Sequence, residues 1–368
     1  MKIAFHFPRL SSGGVEKMRI ILARELLARG HEVHFVLCQV VGEYLSQVPP
    51  GVKIVDLQAS RTLRSFLPLR AYLDREAPDA LISSLGPQNV VAILAGCFSK
   101  AKTKIFVTQH NALRHQSRSG QSLQQQLIPF LYRFLLPKAD GVIAVSEGLA
   151  DEVAEVARFD RGKIFVAYNP ACPADPPQAG VHEPVLQRPY IISVGRLVEQ
   201  KGYPDLLEAY AKLCRSNDRF DLVVLGVGPL MEELTTLAAS LGVADRVHFL
   251  GFRKDPSSYL AAASLFVMAS RYEGFGNVLV EALAAGVPVV STNCDFGPSE
   301  ILSGGKFGTL VEVGDVDGIE RAMQAMLDCP MPAETLRLRA MDFAPDAVTD
   351  RYLDILGERS RACVENEA

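Results

Sequence analysis

Two glutamates, Glu273 and Glu281, bracket a glycine-rich turn and the start of a helix in the segment YEGFGNVLVEALAAGVPVVST (272–292). The Gly-Phe-Gly turn at 274–276 leaves backbone N–H groups accessible at the positive end of the helix dipole. Such a turn suits a phosphate or a cluster of sugar hydroxyls. The pattern fits equally well a capped α/β turn, in which Glu273 stabilises the helix start and Glu281 lies on a solvated face.

Two cations lie on another loop, SVGRLVEQKG (193–202). Arg196 follows a strand predicted at Tyr190–Val194, and Lys201 precedes a helix predicted to begin near Pro204. A diphosphate suits this pair, because arginine offers a planar fork of donors and lysine a point charge. A solvated basic loop is the alternative, and the strand and glycine context favours the ligand.

The N-terminal half offers a glycine pair and a histidine at the ends of predicted strands. Gly13 and Gly14 follow the strand Lys2–Phe7, and His110 follows the strand Lys104–Thr108. Open α/β sheets bind ligands at the carboxyl ends of their strands, so these residues are candidates for binding. A plain tight turn and a structural histidine are the alternatives. The pair is not the G-x-G-x-x-G fingerprint, so a nicotinamide dehydrogenase lacks its main support.

Strand and helix patterns alternate through both halves of the chain, which predicts α/β domains. The length of 368 residues exceeds one ordinary core, and six prolines fall within 169–189. We therefore expect domains at 1–168 and 190–345, a proline-rich linker at 169–189, and an amphipathic tail helix within 346–368. In the second half four loops end strands at one edge of the predicted sheet: 195–202, 226–228, 251–253 and 273–277.

Composition argues against several classes of protein. The net charge of −4 gives no general affinity for nucleic acid. The seven cysteines are dispersed without a CxxC pair, which is typical of a reducing cytosol. No run reaches the ~18 apolar residues that a membrane span needs. Asp315-Val316-Asp317 resembles a metal-binding DxD, but the pattern is more typical of a capped helix start, so no metal is expected.

The segment 111–138 interrupts the alternation and combines basic with apolar residues. Basic residues beside an apolar amphipathic stretch can rest on an anionic membrane surface. An ordinary packed helix with a solvated basic face is the alternative. The apolar block is LIPFLYRFLL (127–136), and the basic residues in and around it are Arg114, His115, Arg118, Arg133 and Lys138.

Taken together, these motifs resemble the GT-B glycosyltransferases of family 4, a large retaining group that includes bacterial surface-polysaccharide and lipid-linked oligosaccharide transferases. The resemblance covers almost the whole chain. It rests on the E-x7-E signature Glu273…Glu281 in its context and on five further stretches: Gly13-Gly14, SVGRLVEQKG, LGF (250–252), GPSEIL (297–302) and GTLVEVGD (308–315). It implies two doubly wound Rossmann-like domains that face each other across a cleft.

The resemblance also implies roles for these residues. Arg196 and Lys201 would bind the diphosphate of a nucleotide-diphospho sugar, without a metal or other cofactor. Glu281 would bind the ribose, and Glu273 would hold the sugar hydroxyls. Gly14, with Gly13, would approach the diphosphate, and His110 would contact the transferred sugar. Further donor contacts would come from the backbone of Phe275, Gly276 and Asn277 and, for the base, from Gly251, Phe252 and Arg253.

The expected reaction is transfer with retention at the anomeric carbon by same-face attack, since no carboxylate is obviously placed as a covalent nucleophile. The run 291–302 and YNP at 168–170 resemble relatives that use UDP-hexoses or UDP-N-acetylhexosamines. The acceptor would be a glycan or a polyprenyl-linked glycan, and the protein would act in the cytoplasm or at the inner face of the membrane. A non-hydrolysing UDP-sugar epimerase of the same fold is the alternative, but it would not explain the Glu273 and Glu281 signature.

Overall fold

The structure, a computed structural model, describes residues 1–11, 13–116, 123–173 and 186–357. The chain divides into two compact units, which we call unit 1 (Met1–Pro170 with Pro345–Ala368) and unit 2 (Ala171–Ala344). The middle of the expected linker, 174–185, and the end of the expected tail helix, from 358 onward, lie outside the described residues.

In the described part of unit 1, seven parallel strands form one sheet in the order β3-β2-β1-β4-β5-β6-β7. The order reverses between β1 and β4, which pair directly. In a doubly wound sheet this reversal opens a crevice at the carboxyl ends of the two strands. The strands are β1 (Lys2–Phe7), β2 (Glu32–Leu37), β3 (Lys53–Asp56), β4 (Ala80–Ser84), β5 (Lys104–Gln109), β6 (Gly141–Ala144) and β7 (Ile164–Val166).

Helices connect these strands and cover the sheet. The helix after β1 begins at Gly14, and the helix after β3 is preceded by a 3₁₀ turn at Thr62–Ser65. Ala77 then adopts a left-handed φ of 42° and ends that second helix. The helices are α1 (Gly14–Ala28), α2 (Phe66–Glu76), α3 (Gly86–Phe98), α4 (Leu113–Gln116), α5 (Leu123–Leu135) and α6 (Glu147–Ala157).

In the described part of unit 2, six parallel strands form a second sheet in the order β10-β9-β8-β11-β12-β13. The order reverses between β8 and β11, and these two strands also pair directly. The strands are β8 (Tyr190–Val194), β9 (Asp221–Leu225), β10 (Val247–Gly251), β11 (Leu265–Met268), β12 (Val289–Thr292) and β13 (Thr309–Val311).

The helices of unit 2 complete its α/β layers. Asp315 caps one of them, as expected, by accepting a hydrogen bond from the N–H of Gly318 at 2.8 Å. The helices are α7 (Tyr203–Ser216), α8 (Met231–Ser240), α9 (Ser257–Ala261), α10 (Asn277–Ala285), α11 (Pro298–Ile301), α12 (Val316–Asp328) and α13 (Ala333–Ala340).

The last described helix, α14 (Pro345–Leu356), belongs to unit 1 rather than to the unit that precedes it in the chain. Its apolar side joins the core between the sheet and α1, where Val348, Tyr352 and Leu353 are buried with Phe5. The backbone carbonyl of Asp346 accepts a hydrogen bond from Arg29 of α1 at 3.2 Å. The C-terminal part of the chain therefore helps to build the core of unit 1.

Candidate functional site

The predicted donor-binding loops of unit 2 follow β8 and β11, the two strands between which the sheet order reverses. One backbone hydrogen bond and one bond from a side chain to the backbone link the loops. The N–H of Arg271 donates to the carbonyl of Gln200 at 2.7 Å, and the Gln200 amide donates to the carbonyl of Tyr272 at 2.9 Å. The sheet topology and these bonds bring together two motifs that are about seventy residues apart in sequence.

Lys201 and Glu273 form an ion pair between these loops. The Lys201 Nζ lies 2.5 Å from Glu273 Oε1, and the same oxygen accepts a hydrogen bond from the buried Ser270 hydroxyl at 2.7 Å. Glu273 is only 7% exposed. A carboxylate in this position is compensated by charge and by a hydrogen bond, as burial requires. The sequence predicted both partners of the pair but not Ser270.

Arg196 lies on the loop after β8 and is exposed. Within the described residues its guanidinium makes no hydrogen bond or ion pair, whereas the charge of Lys201 is matched by Glu273. Nearby glycines have a packing role: a Cβ on Gly226 would lie 1.8 Å from the carbonyl oxygen of Gly195, and one on Gly228 would lie 2.2 Å from that of Leu197. The loop that carries Arg196 is therefore held by close backbone contacts.

The N-terminus of α10 is built by the predicted glycine turn. Gly276 is the N-cap residue with a left-handed φ of 100° and no side-chain cap. The Phe275 ring packs edge-on against Phe343 at 5.6 Å between centroids and is buried. A ligand could therefore reach Phe275 through its backbone only. Asn277 is the first residue of the helix and is partly exposed, which leaves the positive end of the helix dipole accessible.

The remaining predicted donor contacts of unit 2 lie on α10 and after β10. Glu281 is partly exposed on α10, one turn after Asn277. Gly251 has a left-handed φ of 73°, which favours glycine at the end of β10. Phe252 and Arg253 are exposed, and Arg253 donates to the Tyr259 hydroxyl at 3.0 Å. Such an exposed aromatic and a guanidinium could stack on a base.

In unit 1 the glycine pair lies directly after β1, at the reversal of strand order. Gly13 is the N-cap residue of α1, and Gly14 is exposed. A Cβ on Gly13 would lie 2.3 Å from Glu16 Oε2, so the absence of a side chain lets this carboxylate fold back over the turn. Burial raises the pKa of Glu16, and its own backbone and Arg9 partly oppose the rise. The loop thus combines an accessible helix N-terminus with a disfavoured negative charge.

His110 lies just beyond β5, as predicted, and contacts a buried arginine that sequence reasoning missed. Its Nε2 is 3.3 Å from Arg19 Nη2 and 3.0 Å from Thr108 Oγ1. Desolvation, and then the charge of Arg19, hold the pKa of His110 well below its usual value. Arg19 is 1% exposed and lies on the inner side of α1. No local sequence signal separates it from a surface arginine of the same helix.

The backbone after His110 is fixed by Glu152 of α6, another residue that the sequence analysis did not single out. Its two carboxylate oxygens accept hydrogen bonds from the N–H groups of Leu113 and Arg114 at 2.7 and 3.0 Å. This carboxylate therefore caps α4 from a neighbouring helix. It anchors the loop that carries His110 to the body of unit 1.

The predicted membrane-binding segment contains α4 and α5. Its inner side packs in unit 1, where the buried Tyr132 hydroxyl accepts from the Asn89 amide and donates to Gln109 Oε1. On its outer side Leu127, Phe130 and Phe134 are 55%, 62% and 57% exposed. Arg118 and the side chain of His115 lie outside the described residues. The helix is thus packed on one side and apolar on the side that faces solvent.

Metal sites and membrane spans are two other kinds of feature. The described residues contain no group of three or more histidine, cysteine, aspartate or glutamate side chains that could hold a metal ion. In the same part of the chain, no helix has the length and apolar character required to cross a bilayer.

Comparison with known proteins shows that a family model matches each half of the chain. A family model for Glycosyltransferase Family 4 matches residues 12–175, and one for Glycosyl transferases group 1 matches residues 178–341. A Campylobacter jejuni N-acetylgalactosamine-N,N'-diacetylbacillosaminyl-diphospho-undecaprenol 4-alpha-N-acetylgalactosaminyltransferase is 29% identical over 340 residues, which cover 89% of this chain and 90% of the relative. These matches favour glycosyl transfer over the epimerase alternative.

Two further proteins are similar over different extents. The Rhizobium meliloti lipopolysaccharide core biosynthesis glycosyltransferase LpsE is 37% identical over 180 residues, 46% of this chain and 50% of that protein. The structure of Anabaena HepE in complex with UDP and glucose aligns with a TM-score of 0.78 and 21% identity, over 97% of this chain and 99% of that one. With both halves matched, the chain belongs to the glycosyltransferases of family 4 and group 1, and it has the GT-B fold of two parallel-sheet α/β domains.

Proposed function

We propose that this glycosyltransferase moves a hexose or an N-acetylhexosamine from a UDP-sugar to a glycan or polyprenyl-linked glycan acceptor, with retention at the anomeric carbon and without a metal. The observation that carries the proposal is the pair of loops after β8 and β11. They present the exposed Arg196 beside a fixed Lys201–Glu273 pair and the open N-terminus of α10. This set combines positive charge for a diphosphate with oxygen atoms for sugar hydroxyls.

The charge distribution gives each group a separate task. Negative charge grows on the diphosphate as the sugar bond breaks, and Arg196 can meet it because no described residue already neutralises its guanidinium. Lys201 adds a second positive charge next to Glu273. Two protein cations at the leaving group take the place that a divalent metal holds in other transferases, which is why we propose a metal-independent reaction.

Same-face attack is the route that we propose for retention, because Glu273 is poorly placed for the alternative, a double displacement through a covalent intermediate. Glu273 Oε1 is engaged by both Lys201 and Ser270, so it is better placed to bind hydroxyls than to attack the anomeric carbon. The acceptor hydroxyl would then attack on the face from which UDP departs, and UDP would accept its proton. His110, on unit 1, would contact the transferred sugar.

The relatives support the classes of donor and acceptor. The Campylobacter relative is named for an acceptor linked to diphospho-undecaprenol and for transfer of N-acetylgalactosamine, and the HepE complex contains UDP and glucose. A lipid-linked acceptor would lie at a membrane. We propose that the outer side of α5 rests on the anionic inner leaflet. Its exposed side chains are mainly apolar, and the exposed, basic Arg133 lies among them.

Thermal-shift measurements test the donor proposal. The panel comprises UDP, GDP, ADP and their common sugars, each with and without EDTA. We expect UDP and one of its sugars to raise the Tm, equally with and without EDTA, because a ligand that binds only the folded state stabilises it. If only GDP or only ADP raises the Tm, the donor carries that nucleotide in place of UDP. A shift that EDTA abolishes would show that a metal is required.

A further inference from the structure

Arg19 of α1 is a fully buried cation whose partners in the described residues are all neutral. Its guanidinium donates to Ser84 Oγ at 3.0 and 3.1 Å, to Thr108 Oγ1 at 2.8 Å and to the Tyr352 hydroxyl at 3.1 Å. It also lies over the rings of Phe5 and Tyr352, at 5.2 and 5.7 Å from their centroids. These contacts engage all three nitrogens of the guanidinium.

Neutral partners do not cancel the charge of Arg19. Burying an unpaired cation costs several kcal/mol, so a site that keeps one without a carboxylate within reach is unusual. Hydroxyl dipoles and aromatic faces offset part of this cost. The remaining positive field acts on the imidazole ring of His110, whose Nε2 lies 3.3 Å from Arg19 Nη2.

This contact distinguishes between the two neutral forms of His110. If Nε2 carried the proton, an N–H dipole would point at a guanidinium N–H 3.3 Å away, which is repulsive. If Nε2 is bare, it accepts from Arg19 Nη2. The Thr108 hydroxyl, 3.0 Å from Nε2, donates its own proton to the Ser83 carbonyl at 2.8 Å, so the charge of Arg19 decides between the two forms. The cation therefore favours the second form, in which Nδ1 carries the proton.

The other ring nitrogen is available for substrate. In the described part of the chain Nδ1 of His110 has no hydrogen-bond partner, and the residue keeps a partly exposed surface at the carboxyl end of β5. A neutral ring with its proton on Nδ1 offers one donor in the outward direction. It offers no free basic nitrogen, since Nε2 faces the guanidinium of Arg19.

We propose that Arg19 is a positioning residue that holds His110 as the neutral Nδ1–H tautomer, so that the ring donates a hydrogen bond to a sugar oxygen and does not act as a base. The role of the sugar rests on the proposed function, whereas the state of the ring does not. Tyr352 extends the arrangement to α14, because its hydroxyl accepts from Arg19 Nη1 and keeps the guanidinium plane in place.

The tautomer can be measured directly by long-range ¹H–¹⁵N NMR of the histidine rings, with His110→Gln used to assign the signal. We expect wild-type His110 to show the neutral Nδ1–H pattern from about pH 8 down to about pH 5.5. A neutral Nε2–H pattern, or a charged ring at the lower end of that range, would overturn the proposal. This measurement uses the wild-type protein and does not depend on a variant that folds poorly.

Two variants separate charge from packing. Arg19→Met removes the cation, so the Nε2–H form should become populated and the pKa of His110 should rise, because one of the two effects that lower it is lost. Tyr352→Phe removes one hydrogen-bond acceptor but leaves the cation, and its His110 pattern should match the wild type. An Arg19→Met spectrum identical to the wild type in tautomer and in titration would contradict the role of Arg19.

Kinetics connect the ring to transfer. In Arg19→Met we expect kcat to fall about 10-fold or more and to fall further as the pH is lowered, with a smaller change in the KM for the donor. If kcat stays at the wild-type value while the tautomer changes, the ring state has no part in transfer. If the wild type transfers no sugar but shows the Nδ1–H form, the proposed function fails and the assignment of Arg19 stands.

Discussion

At the scale of single residues, the two cations of the unit 2 loops differ in how their charge is balanced. Lys201 is paired with Glu273 at 2.5 Å, whereas Arg196 is exposed on the same loop. We therefore expect an incoming diphosphate to meet its largest uncompensated positive charge at Arg196. Lys201 and Glu273 are better regarded as one unit, since removal of either leaves the other charge nearly buried and unpaired.

Glu16 gives a test at this scale that depends on pH. Burial raises its pKa above the usual 4.5, so ionisation opposes folding: the wild-type fold should lose stability as the pH rises from the unfolded pKa through the folded pKa. Glu16→Gln lacks this loss. We expect the Tm of Glu16→Gln to exceed that of the wild type at neutral pH, with the difference shrinking towards about pH 4.

A matched control for that experiment is Glu25→Gln. Glu25 lies on the same helix and pairs with Arg29 at 3.1 Å, so its removal should not raise the Tm at neutral pH. If Glu16→Gln is no more stable than the wild type at any pH, the carboxylate is better solvated than its position over Gly13 indicates.

At the scale of elements, the carboxyl and amino ends of the strands in unit 2 have different roles. The carboxyl ends hold the candidate site, and the amino end of β9 holds a charge cluster around the buried Asp221. Its carboxylate lies 3.1 Å from Arg188, 3.4 Å from Arg246 and 2.9 Å from His248. Arg188 lies just before β8, and Arg246 and His248 lie at the start of β10, so this cluster links the amino ends of three neighbouring strands, β8, β9 and β10.

Asp221→Asn tests whether the cluster stabilises unit 2. The change leaves two arginines, with side chains 49% and 23% exposed, beside a neutral side chain. The cost should therefore lie between the ~1 kcal/mol of an exposed ion pair and the ~3 kcal/mol of a buried one. We expect a clearly lower midpoint for the unfolding of unit 2 in urea, with donor affinity retained in the folded protein. Asp218→Asn, an exposed neighbour in the same loop, is the control and should be neutral. Equal midpoints for the two variants would mean that the cluster adds nothing.

The outer side of α5 belongs to the same scale, because its apolar side chains recur along one helix. Replacing Phe130 and Phe134 with serine removes two exposed rings that contact each other at 5.1 Å and should leave the packed side of the helix intact. We expect sedimentation with vesicles that contain anionic lipid to fall several-fold.

The control for the membrane experiment is Leu338→Ser, which removes a side chain of similar exposure from α13 in unit 2. It should sediment with vesicles as the wild type does. Equal sedimentation of the α5 variant and the wild type would exclude this surface as the membrane contact.

Sequence alone predicted the loops but not what lies beneath them. Arg196, Lys201 and Glu273 each stand next to a glycine in a loop that follows a strand, and this signal is local in the sequence. Arg19 has no such signal, since its burial depends on α14 and β5, which are distant in sequence. The same limit applies to Glu152, which caps a helix other than its own.

Short elements at the sheet edges were also beyond prediction. The strands β7 and β13 have three residues each, too few to show an alternating pattern. Their pairing with β6 and β12 comes from the sheet that they complete. By contrast, strands nearer the middle of each sheet are continuous apolar runs, typical of strands covered on both faces. The strands predicted at Lys2–Phe7, Lys104–Thr108 and Tyr190–Val194 correspond to β1, β5 and β8.

At the scale of the whole molecule, two units with the same doubly wound plan carry different kinds of group. Unit 2 offers exposed Arg196, the Lys201–Glu273 pair and the start of α10, which suit a nucleotide sugar. Unit 1 offers Gly14, His110 and the outer side of α5, which suit the transferred sugar and a lipid-linked acceptor. We therefore propose that unit 2 provides most of the donor recognition and that unit 1 recognises the acceptor.

The most direct test of this account is release of UDP from UDP-sugars by the wild type and Arg196→Ala, with EDTA present and a polyprenyl-linked glycan acceptor supplied. Arg215→Ala, an exposed arginine at the far end of α7, is the control. We predict acceptor-dependent release by the wild type and the control, a kcat at least ~100-fold lower in Arg196→Ala, and a product with the donor's anomeric configuration. Near-wild-type turnover by Arg196→Ala, or an inverted product, would contradict it.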